Sequence, residues 1–148
     1  MNQIFKNARS AATALLQLST EKTDGVLLAL ADNIVAATDE LMKANASDME
    51  RMAADNPKRD RLALTPARIA DIADGVRAVA ALPSPVGNIL NQWTRPNGMT
   101  ITKVSVPFGV IGVIYEARPN VTFDVFALCF KAGSAVFRKG AHEAADTN

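Results

Sequence analysis

The feature that most restricts the fold is a nearly continuous apolar run at residues 110–115, Val110-Ile111-Gly112-Val113-Ile114-Tyr115. A segment with helical apolar spacing follows at 121–132, and a short β-branched stretch follows that at 135–138. A strand without polar alternate positions is expected to be covered on both faces, and strand, helix, strand in this order is the βαβ unit. Its crossover is right-handed almost without exception, and ligands are met beyond the carboxyl end of its first strand. That end reads Glu116-Ala117-Arg118-Pro119-Asn120, and Gly133 closes the helix. The class expected is α/β, with one βαβ unit where a doubly wound sheet needs several.

Upstream the periodicity is helical. Ile4, Ala8, Ala11, Leu15 and Leu18 form one apolar stripe, and Leu27, Leu30, Ala31, Ile34, Leu41 and Met42 form the next. Ser19 and Thr20 offer hydroxyls to cap the second helix. Ser47-Asp48-Met49-Glu50 has capping-box spacing, which predicts a short third helix that starts there and stops before Pro57. Thr65-Pro66 predicts a fourth helix start, a capping hydroxyl ahead of a residue with no N–H to leave unbonded. This helix is expected to bury Ile69, Ile72, Ala73, Val76 and Val79. Pro83, Pro85 and Gly87 then break the chain, and the runs at 89–94 and 99–106 flank Arg95-Pro96-Asn97-Gly98. Asn-Gly supplies positive φ, so a β-hairpin is expected. The chain divides into a helical part at 1–82, a hairpin at 83–106 and the start of a parallel sheet at 107–148.

Composition narrows the function. Of 148 residues 49% are hydrophobic, and 16 basic side chains stand against 15 acidic ones, so no field steers a nucleic acid. No apolar stretch reaches the ~18 residues of a membrane span, and the first residues lack a basic head before an apolar run. A cytoplasmic protein is expected. One cysteine, Cys129, and one histidine, His142, leave too few ligands for a structural zinc site, so no metal is expected.

The segment 107–122, Pro-Phe-Gly-Val-Ile-Gly-Val-Ile-Tyr-Glu-Ala-Arg-Pro-Asn-Val-Thr, resembles the signature of γ-glutamyl phosphate reductases, within the aldehyde dehydrogenase superfamily. Asp124, Leu128-Cys129, Lys131-Ala132-Gly133 and Ser134-Ala135-Val136 continue the register, and Thr65-Pro66-Ala67-Arg68-Ile69 and Leu82-Pro83-Ser84-Pro85-Val86-Gly87 resemble earlier family blocks. The resemblance implies helices, a hairpin and then the first βαβ unit of an aldehyde-dehydrogenase-like cofactor-binding domain. It also implies NADPH-dependent reduction of γ-glutamyl phosphate to glutamate 5-semialdehyde in proline synthesis, with glutamate 5-kinase as a partner and the 88–106 hairpin as a homo-oligomer contact. The family's nucleophilic cysteine belongs to a later, catalytic domain. The chain is accordingly expected to be a truncated piece, inactive alone. Two alternatives stand beside this: a non-catalytic helical and hairpin association module, and another acyl- or aldehyde-oxidoreductase of the superfamily.

By the same resemblance Asn120 sits where the superfamily donates a side-chain N–H to the thiohemiacetal oxyanion; read from its residues alone, it caps the following helix. Arg118 is matched to the substrate's carboxylate or acyl phosphate, or else to an ion pair with Glu116 or Asp124. Ala117, Pro119, Lys139 and His142 fall at cofactor-binding positions. Lys139 is otherwise a solvated strand-end lysine, and His142 a surface histidine. The family pattern has Leu-Arg where this sequence has Arg138-Lys139, which moves the identity of the cationic contact. Cys129, within Phe126-Ala127-Leu128-Cys129-Phe130, reads as a core thiol rather than a nucleophile.

Overall fold

In the computed structural model, which describes residues 3–141 and 144–147, six helices precede or flank two small sheets. The helices are α1 (Gln3–Leu15), α2 (Thr20–Ala36), α3 (Thr38–Arg51), α4 (Arg59–Leu62), α5 (Pro66–Ala81) and α6 (Pro119–Lys131). The strands are β1 (Ile89–Thr94), β2 (Thr100–Val104), β3 (Val110–Ile114) and β4 (Ala135–Lys139). No helix among the described residues is long and apolar enough to cross a membrane.

Local signals set the starts of α2 and α5. The Ser19 hydroxyl accepts the Lys22 N–H at 3.2 Å, and the Thr65 hydroxyl accepts the Arg68 N–H at 3.1 Å with Pro66 opening the helix. Leu27, Ala31 and Ile34 of α2 pack against Ile69, Ile72, Ala73, Val76 and Ala80 of α5, and Ala127 brings α6 to the same cluster. Fully burying the Leu, Ile and Val side chains among them is worth about 1.5–3 kcal/mol each, so this three-helix seam is the principal core. The Lys131 ammonium is buried beneath it, donating to the Asp24 carboxylate at 2.5 Å and the Ala80 carbonyl at 2.7 Å. One cation thereby joins α2, α5 and α6.

Two helix boundaries differ from the sequence expectation. The second helix ends at Ala36 and a new one begins at Thr38, so Leu41 and Met42 belong to α3. Ser47 and Glu50 lie inside α3 and form no capping box; the Ser47 hydroxyl instead donates to Asp146 at 2.9 Å. A hydroxyl with a long-range acceptor has no need of a helix end.

β1 and β2 form the expected antiparallel hairpin, with a bulge between Ile89 and Asn91. Gly98 has φ +86°, and Arg95 and Met99 close the turn through a 2.8 Å backbone bond. The hairpin packs chiefly on itself, leaving Ile89, Leu90, Trp93, Met99 and Val104 exposed.

β3 and β4 pair in parallel, from Val110 opposite Ala135 to Ile114 opposite Lys139, with α6 as the crossover. Coverage of β3 on both faces is not found among the described residues. Ile111 and Val113 are half-buried while Val110 and Ile114 are exposed, Ile114 at 85%. α1 reaches this sheet through Phe5, whose ring lies 5.2 Å from that of Phe137.

Candidate functional site

The carboxyl end of β3 turns sharply into α6. The Arg118 N–H donates to the Glu116 carbonyl at 2.8 Å, and the Val121 N–H to the Arg118 carbonyl at 3.1 Å. Pro119 occupies the first turn, where its missing N–H leaves nothing unbonded, and its side chain is fully buried. Ala117 is buried beside Met52, Leu62 and Ala144. These two residues anchor the turn through their side chains, so any contact they offer a cofactor is made by the backbone.

Arg118 is the N-cap residue of α6 and supplies no side-chain cap bond. Asn120 therefore lies inside the first turn, and the reading of Asn120 as the helix cap is corrected. Its exposed amide is directed along the helix instead, where Nδ2 donates to Asp124 at a long 3.4 Å. Burial pushes the Asp124 carboxyl above its ordinary value, with the Asn120 bond opposing that shift.

These residues form one wall of a cavity of about 490 Å³ whose opposite wall is the connection from α4 into α5. Arg61, Arg68 and Asp71 face Arg118, Asn120 and Asp124 across it. Arg68 is committed to that connection, donating to the Ala63 carbonyl at 2.7 Å and to the Asp60 carboxylate at 2.9 Å. Arg61 takes Glu116 at 3.3 Å, with both side chains about half exposed. The expected pairing of Arg118 with Glu116 or Asp124 does not occur. Glu116 is already engaged, Asp124 receives Asn120, and the buried Nε of Arg118 has no hydrogen-bond partner among the described residues. A guanidinium N–H left unbonded beside a cavity suits an anionic group entering it. Arg61 comes from α4 and Arg68 and Asp71 from α5, helices with no local sequence link to the turn, whereas Asp124 had a local signal, being one turn from Asn120.

Lys139 is the last residue of β4 rather than the residue beyond it. Its carbonyl accepts the Tyr115 N–H at 3.2 Å, and its side chain is exposed. An exposed cation at the carboxyl end of a parallel strand fits a phosphate-bearing cofactor. His142 lies outside the described residues. Cys129 is buried, at 9% exposure, and burial pushes its thiol pKa up.

A helical layer, a protruding hairpin and the first parallel βαβ turn define the beginning of an aldehyde-dehydrogenase-like α/β domain. A probable aldehyde dehydrogenase from Listeria monocytogenes shares that fold, with a TM-score of 0.66 at 15% identity over 96% of this chain and 29% of that one. More particularly, the chain is similar to the amino-terminal third of γ-glutamyl phosphate reductases. It is 55% identical over all 148 residues to the Phocaeicola vulgatus reductase and 52% identical over 141 residues to that of Koribacter versatilis. These matches span 36% and 34% of the two relatives. The crystal structures of the Thermotoga maritima and Saccharomyces cerevisiae reductases each align with a TM-score of 0.92 at 32% identity. They cover 97% and 98% of this chain, and 35% and 38% of their own. No family model matches the chain.

Proposed function

We propose that this chain forms the oxyanion-facing and cofactor-facing start of an NADPH-dependent reductase of γ-glutamyl phosphate, acting in the cytoplasm in proline synthesis. The observation that carries the reading is the arrangement at the β3–α6 turn, where Asn120 and Arg118, whose buried Nε has no hydrogen-bond partner among the described residues, line one cavity. Arg118 holds an anionic end of the substrate, and Asn120 meets the oxygen on which charge develops. Lys139, at the end of β4, takes the phosphate-bearing side of the cofactor, with backbone from Ala117 and Pro119 nearby. NADPH, when bound, supplies the hydride. A glutamate 5-kinase would supply the acyl phosphate, a species too readily hydrolysed to travel far. The test is to assay a full-length protein carrying this segment for phosphate-dependent reduction of NADP by glutamate 5-semialdehyde. Turnover with that pair is expected, whereas activity confined to another aldehyde or to an acyl thioester would replace the substrate assignment.

Assembly belongs to the same reading. The register places Trp93 beside Ile101 on one face of the hairpin and Ile89 beside Val104 on the other, so apolar surface is offered on both faces next to unpaired strand edges. Homo-oligomerisation through residues 88–106 follows. In sedimentation velocity the full-length protein should run as an oligomer, and Ile101→Lys with Val104→Glu should shift it to smaller species. A clean monomer at high protein concentration would sink this part.

A further inference from the structure

One face of α3 carries far more polar bonding than packing a helix requires. Asn45, buried, donates through Nδ2 to the Leu62 carbonyl at 2.8 Å and accepts the Leu64 N–H at 2.8 Å, which fixes the connection forming one cavity wall. One turn further on, the Asp48 carboxylate is wholly buried. It accepts the Asp146 N–H at 3.1 Å, the Thr147 N–H at 2.8 Å and the Thr147 hydroxyl, donors that lie 98 and 99 residues away in sequence. Arg51 donates to Asp48 and, at 2.8 Å, to the Asp146 carboxylate, which also receives the Ser47 hydroxyl. A carboxylate shut away from water persists only where donors fill its lone pairs. Here most of those donors belong to a single short turn beyond β4.

The same turn is also held by Ala144, buried against Met52, Leu62 and Ala117, and by Arg51 and Ser47 on the Asp146 carboxylate. β4 fixes the approach to it through the ladder, ending where the Lys139 carbonyl meets Tyr115, and Asp48 fixes the far side. We propose that Asp48 is a positioning residue for cofactor binding. Through Asp146 and Thr147 it holds residues 144–147 so that the end of β4 presents Lys139 in one arrangement to the phosphate on the cofactor's adenosine side. The proposal rests on the assignment of the β4 end to the cofactor, and it adds a residue that touches neither cofactor nor substrate. Its physical content is preorganisation: when a binding segment is already held in the bound conformation, less ordering is left to be done on association.

The experiment uses a full-length protein carrying this segment. Asp48→Asn keeps the shape of the side chain but replaces one acceptor oxygen with a donor, so either the Thr147 donors or the Asp146 N–H and Arg51 lose their acceptor. NADPH affinity, read by quenching of nicotinamide fluorescence, should weaken about tenfold, with kcat within about twofold of the parent, because the loss is in positioning a bound group rather than in the reacting atoms. Hydrogen exchange at the Asp146 and Thr147 amides should accelerate. A purely structural role would lower the yield of folded protein or kcat without this selective change in NADPH affinity. If Asp48→Asn does not fold, Thr147→Val removes the hydroxyl donor while sparing the backbone bonds, and it should weaken NADPH in the same direction. Lys139→Ala is the separate arm. If Lys139→Ala weakens NADPH binding while Asp48→Asn and Thr147→Val leave it unchanged, the Asp48 proposal is overturned and the cofactor assignment stands. If Lys139→Ala also leaves NADPH binding unchanged, the assignment of the β4 end fails and the Asp48 proposal fails with it.

Discussion

Replacing Asn120 with Ala in a full-length protein carrying this segment should lower kcat by about two orders of magnitude, while KM for either substrate moves little. An amide aimed at charge that develops only in the transition state contributes little to ground-state binding, and loss of one such donor costs about 2.7–4 kcal/mol of barrier height. The structure separates this effect from a stability effect. Arg118, not Asn120, is the N-cap, and the one side-chain bond Asn120 makes, to Asp124, is long and exposed. Its removal should therefore change stability by no more than about 0.5 kcal/mol, the usual range for a surface substitution. Asn120→Asp is the sharper variant, because a carboxylate beside Asp124 would repel both that neighbour and a developing oxyanion. Steady-state kinetics with thermal unfolding run in parallel checks the pair. A stable, fully active aspartate variant would remove Asn120 from the chemistry.

The isolated 148-residue polypeptide should show no NADPH-dependent turnover of glutamate 5-semialdehyde or of its acyl phosphate. Acyl transfer to sulfur requires a thiolate in reach of the substrate, and Cys129, the single cysteine, is buried, with its pKa raised by that burial. The protonated thiol dominates at neutral pH, and exposing it by unfolding or removing it by mutation gives a clear readout. Alkylation by a small thiol reagent should be negligible in native buffer and complete in denaturant. In a full-length protein Cys129→Ala should keep turnover close to the parent and lose some stability through packing, by roughly 1 kcal/mol. Turnover by the isolated chain that disappears in Cys129→Ser would mean that this thiol is a nucleophile.

What was legible in the sequence was local. Thr65-Pro66 specified its helix start because cap and proline act within one turn, and Asn97-Gly98 specified the hairpin because positive φ is demanded at one position. The parallel pairing of β3 and β4 followed from an apolar run, a helix and a second run in that order. What failed depended on distance. Ser47 and Glu50 have capping spacing, yet the hydroxyl is drawn to Asp146, a partner that no window of sequence around it contains. The boundary at Ala37 escaped notice because α2 and α3 continue one apolar stripe. At the site, Asn120 and Arg118 were found through motif resemblance, but Arg61, Arg68 and Asp71 reach the cavity from the α4–α5 connection, and only the packing of that connection on α6 brings them there. The expected pairing of Arg118 failed for a related reason: Arg61, 55 residues earlier, takes Glu116 first.

The self-contained packing of the hairpin bears on how such a chain can change over time. Because β1 and β2 lean on each other and lend nothing to the α2–α5–α6 core, substitutions along that arm can accumulate without disturbing the turn that holds Arg118 and Asn120. If the hairpin carries assembly and the β3–α6 turn carries the chemistry, as proposed, the two are open to selection separately, and lineages sharing one reaction site are free to differ in how many copies gather around it.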